Sequence, residues 1–156
     1  MRRSDREVTD NNKINDIIKN CDCCRLGFKE ENGVYILPLN FGYTEENNKR
    51  VLYFHGANEG KKIDLINEQK CVGFEMDSFH KLVSADIPCG FSYKYQSIIG
   101  KGNVSLVSDT NEKIEAFKII MEHYTGKKEW EFPIAVVEKT AIIKLEITEL
   151  SCKEHK

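Results

Sequence analysis

The sequence predicts a mainly β fold: a small barrel of six to seven antiparallel strands with about three short peripheral helices. Three observations carry this. Several runs of four to eight β-branched and aromatic residues are bounded by turn residues, as in VYILPLN (residues 34–40) and VLYFH (residues 51–55). A long β segment, SYKYQSIIGKGNVSLVS (residues 92–108), alternates poorly around Gly100 and Gly102, the mark of a bulge that lets a sheet curl. Helical periodicity is confined to short stretches between these runs.

From Asp10, the spacing of Ile14, Ile17, Ile18 and Cys21 predicts an amphipathic helix, with Asp10 or Asn11 as its cap. CRLGF (residues 24–28) and residues 34–40 then form a hairpin, for which Asn32 and Gly33 supply the positive φ of a tight turn. TEENNKR (residues 44–50) is a second turn region. After the strand at 51–55, Ile63, Leu65 and Ile66 mark a short half-buried helix, and CVGFEMD (residues 71–77) returns to strand. Asp109 with Glu112 forms a capping pair for a helix whose stripe is Ile114, Phe117, Ile120, Met121 and Tyr124, ending before Gly126. KKEWEFP (residues 127–133) reads as a loop whose aromatic rings cover a pocket, a dimer contact or the core, and TAIIKLEITEL (residues 140–150) as the last strand.

At 156 residues, with 40% hydrophobic content, the chain suits one domain spanning 1–156. The 23 basic and 25 acidic side chains are interspersed, so no basic face points to nucleic acid or anionic lipid. MRRSDREVTDNN lacks the apolar core of a signal peptide, and no window approaches the roughly 20 apolar residues of a membrane span. A cytoplasmic location with six mostly reduced cysteines is the expectation.

The stretch YFHGANEGKKIDLI (residues 53–66) concentrates the chemistry. A strand ends at His55 and a helix restarts with Gly60, Lys61 and Lys62 in its first turn. Two lysines oppose the partial positive charge of a helix N-terminus, and an anion there, such as a phosphate, would resolve the conflict. Gly60 would let backbone approach it, and the lysines would act as point charges. Two solvated surface lysines beside a loop glycine are the other reading, since no P-loop or GxGxxG pattern is present. His55 is either a hydrogen-bonded strand-end residue or a proton donor near a bound cofactor. Tyr95, Gln96, Ser97, Ile98, Ile99 and Gly100 could line a pocket for a flat heterocycle or form an ordinary barrel strand. The C-x-C-C run of Cys21, Cys23 and Cys24 occurs once, which argues against a structural zinc site, and no metal is expected.

Together, MRRSDREVTD, CRLGF, PLNFGY, LYFHGANEGKKIDLI, CVGFEMD, YQSIIGKG and MEHY resemble the nitroimidazole-resistance proteins among the pyridoxamine 5′-phosphate oxidase-like flavoproteins. The resemblance covers nearly the whole chain. It implies a split β-barrel that forms a homodimer with FMN between subunits, the FMN phosphate at Gly60, Lys61 and Lys62. Pro38, Leu39, Asn40 and Phe41 would run beside the isoalloxazine ring, Tyr95, Gln96, Ser97 and Ile98 would share the pocket, and His55 would be the catalytic residue. The implied chemistry is reduction of a nitro group with an external electron donor. The chain ends ELSCKEHK and lacks the arginine- and histidine-bearing C-terminal motif of authentic pyridoxamine phosphate oxidases, so that oxidation is not expected. A flavin- or haem-binding module without turnover, or a deazaflavin in place of FMN, are the alternatives.

Overall fold

The computed structural model describes residues 3–47 and 49–156, so two residues of the charged N-terminus and one of the predicted 44–50 turn lie outside it. Among the described residues are eight strands: β1 (Glu7–Val8), β2 (Cys24–Glu30), β3 (Gly33–Leu39), β4 (Phe41–Glu46), β5 (Lys49–Ala57), β6 (Cys71–Val83), β7 (Ser92–Val107) and β8 (Thr140–His155). The helices are α1 (Asn11–Lys19), α2 (Lys61–Glu68), α3 (Thr110–Thr125) and α4 (Ile134–Lys139). The pairings are antiparallel and run in the order β3-β2-β6-β7-β8-β5-β4, with β1 on β8.

β3 and β4 sit at opposite ends of that order, yet Asn40 alone separates them. One covalent link therefore draws the two sheet edges to a common corner without a β3–β4 ladder, which is a barrel split along one seam. The interior is filled by alternate residues of the strands, among them Leu26, Phe28, Phe41, Leu52, Phe54, Phe74, Met76, Ile98 and Leu145, together with Ile14, Ile17 and Ile18 of α1. Asp10 caps α1 as predicted, accepting from the Lys13 amide at 2.7 Å.

A second, smaller cluster lies outside the barrel, where α3 covers Val51, Tyr53 and Ile142. Asp109 caps α3 by accepting from the Glu112 amide at 2.8 Å, and the helix ends at Gly126. Its buried face is Ala116 and Ile120, flanked by Phe117 and Ile119, whereas Tyr124 of the predicted stripe is exposed. The helix rotates toward its small residue because it presses on Gly42 of β4, where a Cβ would stand 2.6 Å from the Ile120 nitrogen. Tyr124 serves the seam instead. Its hydroxyl donates to the Asp22 carbonyl at 2.8 Å and accepts from the Phe41 amide at 3.0 Å.

Four local readings are corrected. Among the described residues there are eight strands rather than six or seven, because the two-residue β1 is too short for a pattern and the predicted 44–50 turn belongs mostly to β4 and β5. α4 lies beyond the stretch read as loop, six residues after Pro133 that are too few for a helical period to show. In the β2–β3 hairpin Glu30 pairs with Gly33, so Glu31 and Asn32 form the turn, and neither has positive φ. β6 runs on to Val83 through a bulge between Ser78 and Lys81, where Phe79 holds φ 58°. The irregularity expected near Gly100 and Gly102 is present as a register shift between Lys101 and Gly102 against β8.

Candidate functional site

β5 delivers the chain to the corner that the sequence singles out. Its residues Phe54 and Leu52 face the barrel interior, while Val51 and Tyr53 face α3. By the same alternation, His55 falls on the α3 side and Gly56 on the interior side. His55 is exposed, its ring centroid 6.3 Å from that of Phe117, which in turn stacks on Phe132 at 5.3 Å. Phe132, from the 127–133 connection, thus packs on Phe117 of α3. Trp130 turns back on its own segment, donating Nε1–H to the Lys127 carbonyl at 3.0 Å.

The loop then reaches Gly60, the N-cap of α2, at φ 98° and ψ 172°. That region is open essentially to glycine alone, and since nothing lies within 4 Å of a Cβ there, conformation rather than space dictates the residue. No side chain caps the helix, and the Gly60 carbonyl accepts from Ile63 at 2.8 Å. The amides of Lys61 and Lys62 have no protein acceptor among the described residues, the ordinary condition of a first helical turn.

The two lysines separate. Lys61 pairs with Glu30 at 2.5 Å and its Nζ stands 4.6 Å from the centroid of the Tyr35 ring, which ties α2 to the β2–β3 hairpin. Lys62 lies across β5 at Gly56, where a Cβ would meet its Cε at 2.7 Å and its Nζ closer still. Among the described residues Lys62 makes no ion pair. One cation at the helix start is therefore neutralised by a carboxylate, and the other is laid on the bare backbone of Gly56, while two amides of the first turn have no acceptor among the described residues. This arrangement fits an oxyanion with several acceptor oxygens, such as a phosphate.

The remaining sequence-selected residues fall in two places. Pro38, Leu39, Asn40 and Phe41 form the seam corner, with Pro38 and Asn40 exposed and Phe41 fully buried against His123 at 4.4 Å between ring centroids. Tyr95, Gln96, Ser97 and Ile98 lie on β7. Ile98 is fully buried in the barrel, Gln96 donates to Glu154 at 2.8 Å, and Tyr95 accepts from Arg6 at 3.5 Å. Phe41 and Ile98 thus shape a site through backbone and packing, not through an exposed side chain. His55 and Lys62 approach β5 from opposite faces. Sequence reasoning passed over Gly56, Glu30, Tyr35 and Arg6; of these only Gly56 carried a signal, a glycine inside an otherwise apolar strand.

The cysteines are all free. Burial pushes the Cys21 and Cys152 thiols up to about 11, and that of Cys24 well above its ordinary value, which leaves these three unreactive.

Residues 10–154 match the family model described as pyridoxamine 5′-phosphate oxidase. Among solved structures, the chain is similar to a candidate 5-nitroimidazole antibiotic resistance protein from Bacteroides thetaiotaomicron, at 30% identity and TM-score 0.82, covering 95% of this chain and 86% of that one. The flavocytochrome Anf3 from Azotobacter vinelandii shares the fold at 20% identity and TM-score 0.80, covering 100% of this chain and 72% of that one. The FAD and heme binding protein from Mycobacterium smegmatis does so at 14% identity and TM-score 0.81, over 97% and 74% of the two chains. No curated protein matches the sequence. The split barrel, the seam at residues 38–41 and the match over residues 10–154 place the chain in the pyridoxamine 5′-phosphate oxidase family.

Proposed function

We propose that the chain binds FMN and acts as a flavin-dependent oxidoreductase, of the kind that reduces nitro compounds. The observation that carries this reading is Lys62, a cation that lies on Gly56 at a helix start and, like the amides of Lys61 and Lys62, has no partner among the described residues. In support stand its family, the similarity to a candidate nitroimidazole-resistance protein, and the flavocytochrome and the FAD and heme binding protein that share its fold.

Bound there, the flavin would supply hydride and electron transfer. The chain's own work is different. Lys62 Nζ and the amides of Lys61 and Lys62 hold the phosphate oxygens, and Lys61, anchored on Glu30, fixes the start of α2. Pro38, Leu39, Asn40 and Phe41 present the seam to the ring system, with Tyr95, Gln96, Ser97 and Ile98 completing the pocket. The His55 imidazole, steadied by Phe117, carries a proton to the reduced substrate. Because His55 and Lys62 lie on opposite faces of β5, a second copy of the chain is the natural means of closing one cleft around both, and the protein is read as a homodimer.

Without a nicotinamide-binding fingerprint, the electrons come from a diffusing donor or a partner reductase. The test uses the purified chain loaded with FMN. Bleaching of its absorption by NADH or NADPH, and recovery on adding a nitroimidazole, is the expected result. Inertness to both would leave a flavin- or haem-binding module without turnover.

A further inference from the structure

The bulge between Ser78 and Lys81 marks the place where β6 and β7 leave the rest of the sheet. β2 pairs with β6 only as far as Glu75, and β8 pairs with β7 only as far as Tyr95. Beyond these points the two strands have only each other among the described residues, through Lys81–Lys94, Leu82–Tyr93 and Val83–Ser92, closed by the loop 84–91. A two-stranded hairpin standing alone is marginal in water and needs something packed on it.

This arm is apolar on its surface. Phe79, Leu82, Ile87, Phe91 and Tyr93 are each 48–64% exposed. Phe79 also holds φ 58°, a conformation that glycine adopts freely and an aromatic residue does not, while most of its ring stays in water. Strain and exposed apolar surface at one residue point to a partner that covers it. His80 stiffens the base of the arm, its Nε2 2.7 Å from Asp77 Oδ2 and its ring stacked on Tyr93 at 6.0 Å between centroids.

Cross-strand neighbours share a face, so Leu82 and Tyr93 lie on one side of the arm, and counting by twos along β7 puts Tyr95, Ser97 and Ile99 on that same side. Buried Ile98 points the other way, which makes this the outer face of the sheet. The cross-strand row Ile36–Gly27–Gly73–Lys101 carries that face across to β3. Between the apolar ends, Arg25 pairs with Glu75 and Asp77, so no excess of one sign there selects an oppositely charged protein. Area then indicates the occupant. At about 100 Å² of exposed surface each, Val34, Ile36 and Ile99 offer roughly 300 Å², well short of the ~800 Å² per partner of a stable interface. The five arm residues raise the total to about that size.

We propose that the β6–β7 arm is a clasp for a second copy of the chain. In the pair, the Leu82–Tyr93 side of each arm is covered by the other copy together with the outer sheet face, and neither surface suffices alone. The inference rests on the homodimer of the proposed function and adds the segment that makes it stable. Tyr95 and Ser97, on the same side, then face the second copy, so the pocket they complete closes only in the pair.

Sedimentation velocity of the flavin-free full chain over a dilution series tests the clasp. The wild type is expected to be a dimer, and Leu82→Glu with Tyr93→Glu to weaken association at least about a hundredfold. Hydrogen exchange gives a second reading that leaves the arm unaltered. The amides of residues 81–83 and 92–94 should exchange at least about tenfold more slowly in the wild-type dimer than in the same chain diluted to monomer. A wild type that is monomeric at about 100 μM, a dimer indifferent to the Leu82 and Tyr93 changes, or arm amides that exchange alike in both states would each overturn the clasp. A chain that dimerises through the arm and takes up no FMN would sink the flavin reading alone. One that binds FMN while its association ignores Leu82 and Tyr93 would sink only the clasp.

Discussion

Lys61 stands 2.5 Å from Glu30, whereas Lys62 rests on Gly56 and makes no ion pair among the described residues, and that contrast makes distinct predictions for two neighbouring residues. Lys62→Gln should weaken FMN binding by at least about tenfold, near 1.4 kcal/mol, while Lys61→Gln should change it by less than about threefold. Isothermal titration of each variant checks this, and equal losses would sink the assignment. Gly56→Ala should act like Lys62→Gln, since its methyl takes the space of the lysine chain. His55→Ala is expected to keep FMN affinity and lower turnover by about 10²-fold. If affinity falls in step with turnover, the imidazole is structural. The sequence already showed Gly60 and the two lysines as one feature, because helix start and charge lie within three residues. It did not separate Lys61 from Lys62, because Glu30 and Tyr35 come from a hairpin some thirty residues earlier in the chain.

At the scale of elements, α3 and its contact with the sheet carry the sharpest tests. Gly42→Ala pushes a methyl into the Ile120 backbone and should cost about 1–3 kcal/mol, measurable as a lower denaturant midpoint at unchanged slope. α3 is also tied down by charge. Lys144 donates to Glu46 at 2.9 Å and to Glu112 at 3.1 Å, and the Tyr53 hydroxyl donates to Glu46 at 2.7 Å. Burial pushes the Glu46 carboxyl up, but the hydrogen bonds from Lys144 and Tyr53 outweigh it and hold the group below the ordinary carboxylate range. A carboxyl depressed in the folded state contributes stability above its unfolded pKa, lost as the pH falls through the folded value. The fold should therefore weaken on the acid side, beginning near the ordinary glutamate value of about 4.3, and Lys144→Met should flatten that limb. An unchanged acid limb in Lys144→Met would remove Glu46 from the account. Elements with their own caps were legible in advance: α1 from Asp10 and its isoleucines, α3 from Asp109 and Glu112. Those defined by distant partners were not. The α3 stripe turned toward Ala116 because Gly42, more than seventy residues earlier, lets the helix approach, and α4 was too short to show a period.

The whole molecule is a sheet whose two edges meet at Asn40, and this topology was not readable from local pattern; strand order arises from pairings such as β5 with β8, about ninety residues apart. It leaves apolar side chains on the outer sheet face, with Val34 and Ile36 of β3 each 62% exposed and Ile99 of β7 60% exposed. Between them Gly27 pairs with Gly73, which keeps the surface flat. In the proposed homodimer this face is covered. Val34→Glu with Ile36→Glu should then yield a monomer by sedimentation velocity, and a dimer that survives both changes would place the interface elsewhere. In the proposed complex, the start of α2 holds a flavin by its phosphate. The most direct measurement of this is parallel titration of the flavin-free chain with FMN and with riboflavin, which differ only in that phosphate. Saturation at one FMN per chain is expected, with riboflavin at least about tenfold weaker. Equal affinity for the two, or no uptake of FMN, would contradict it.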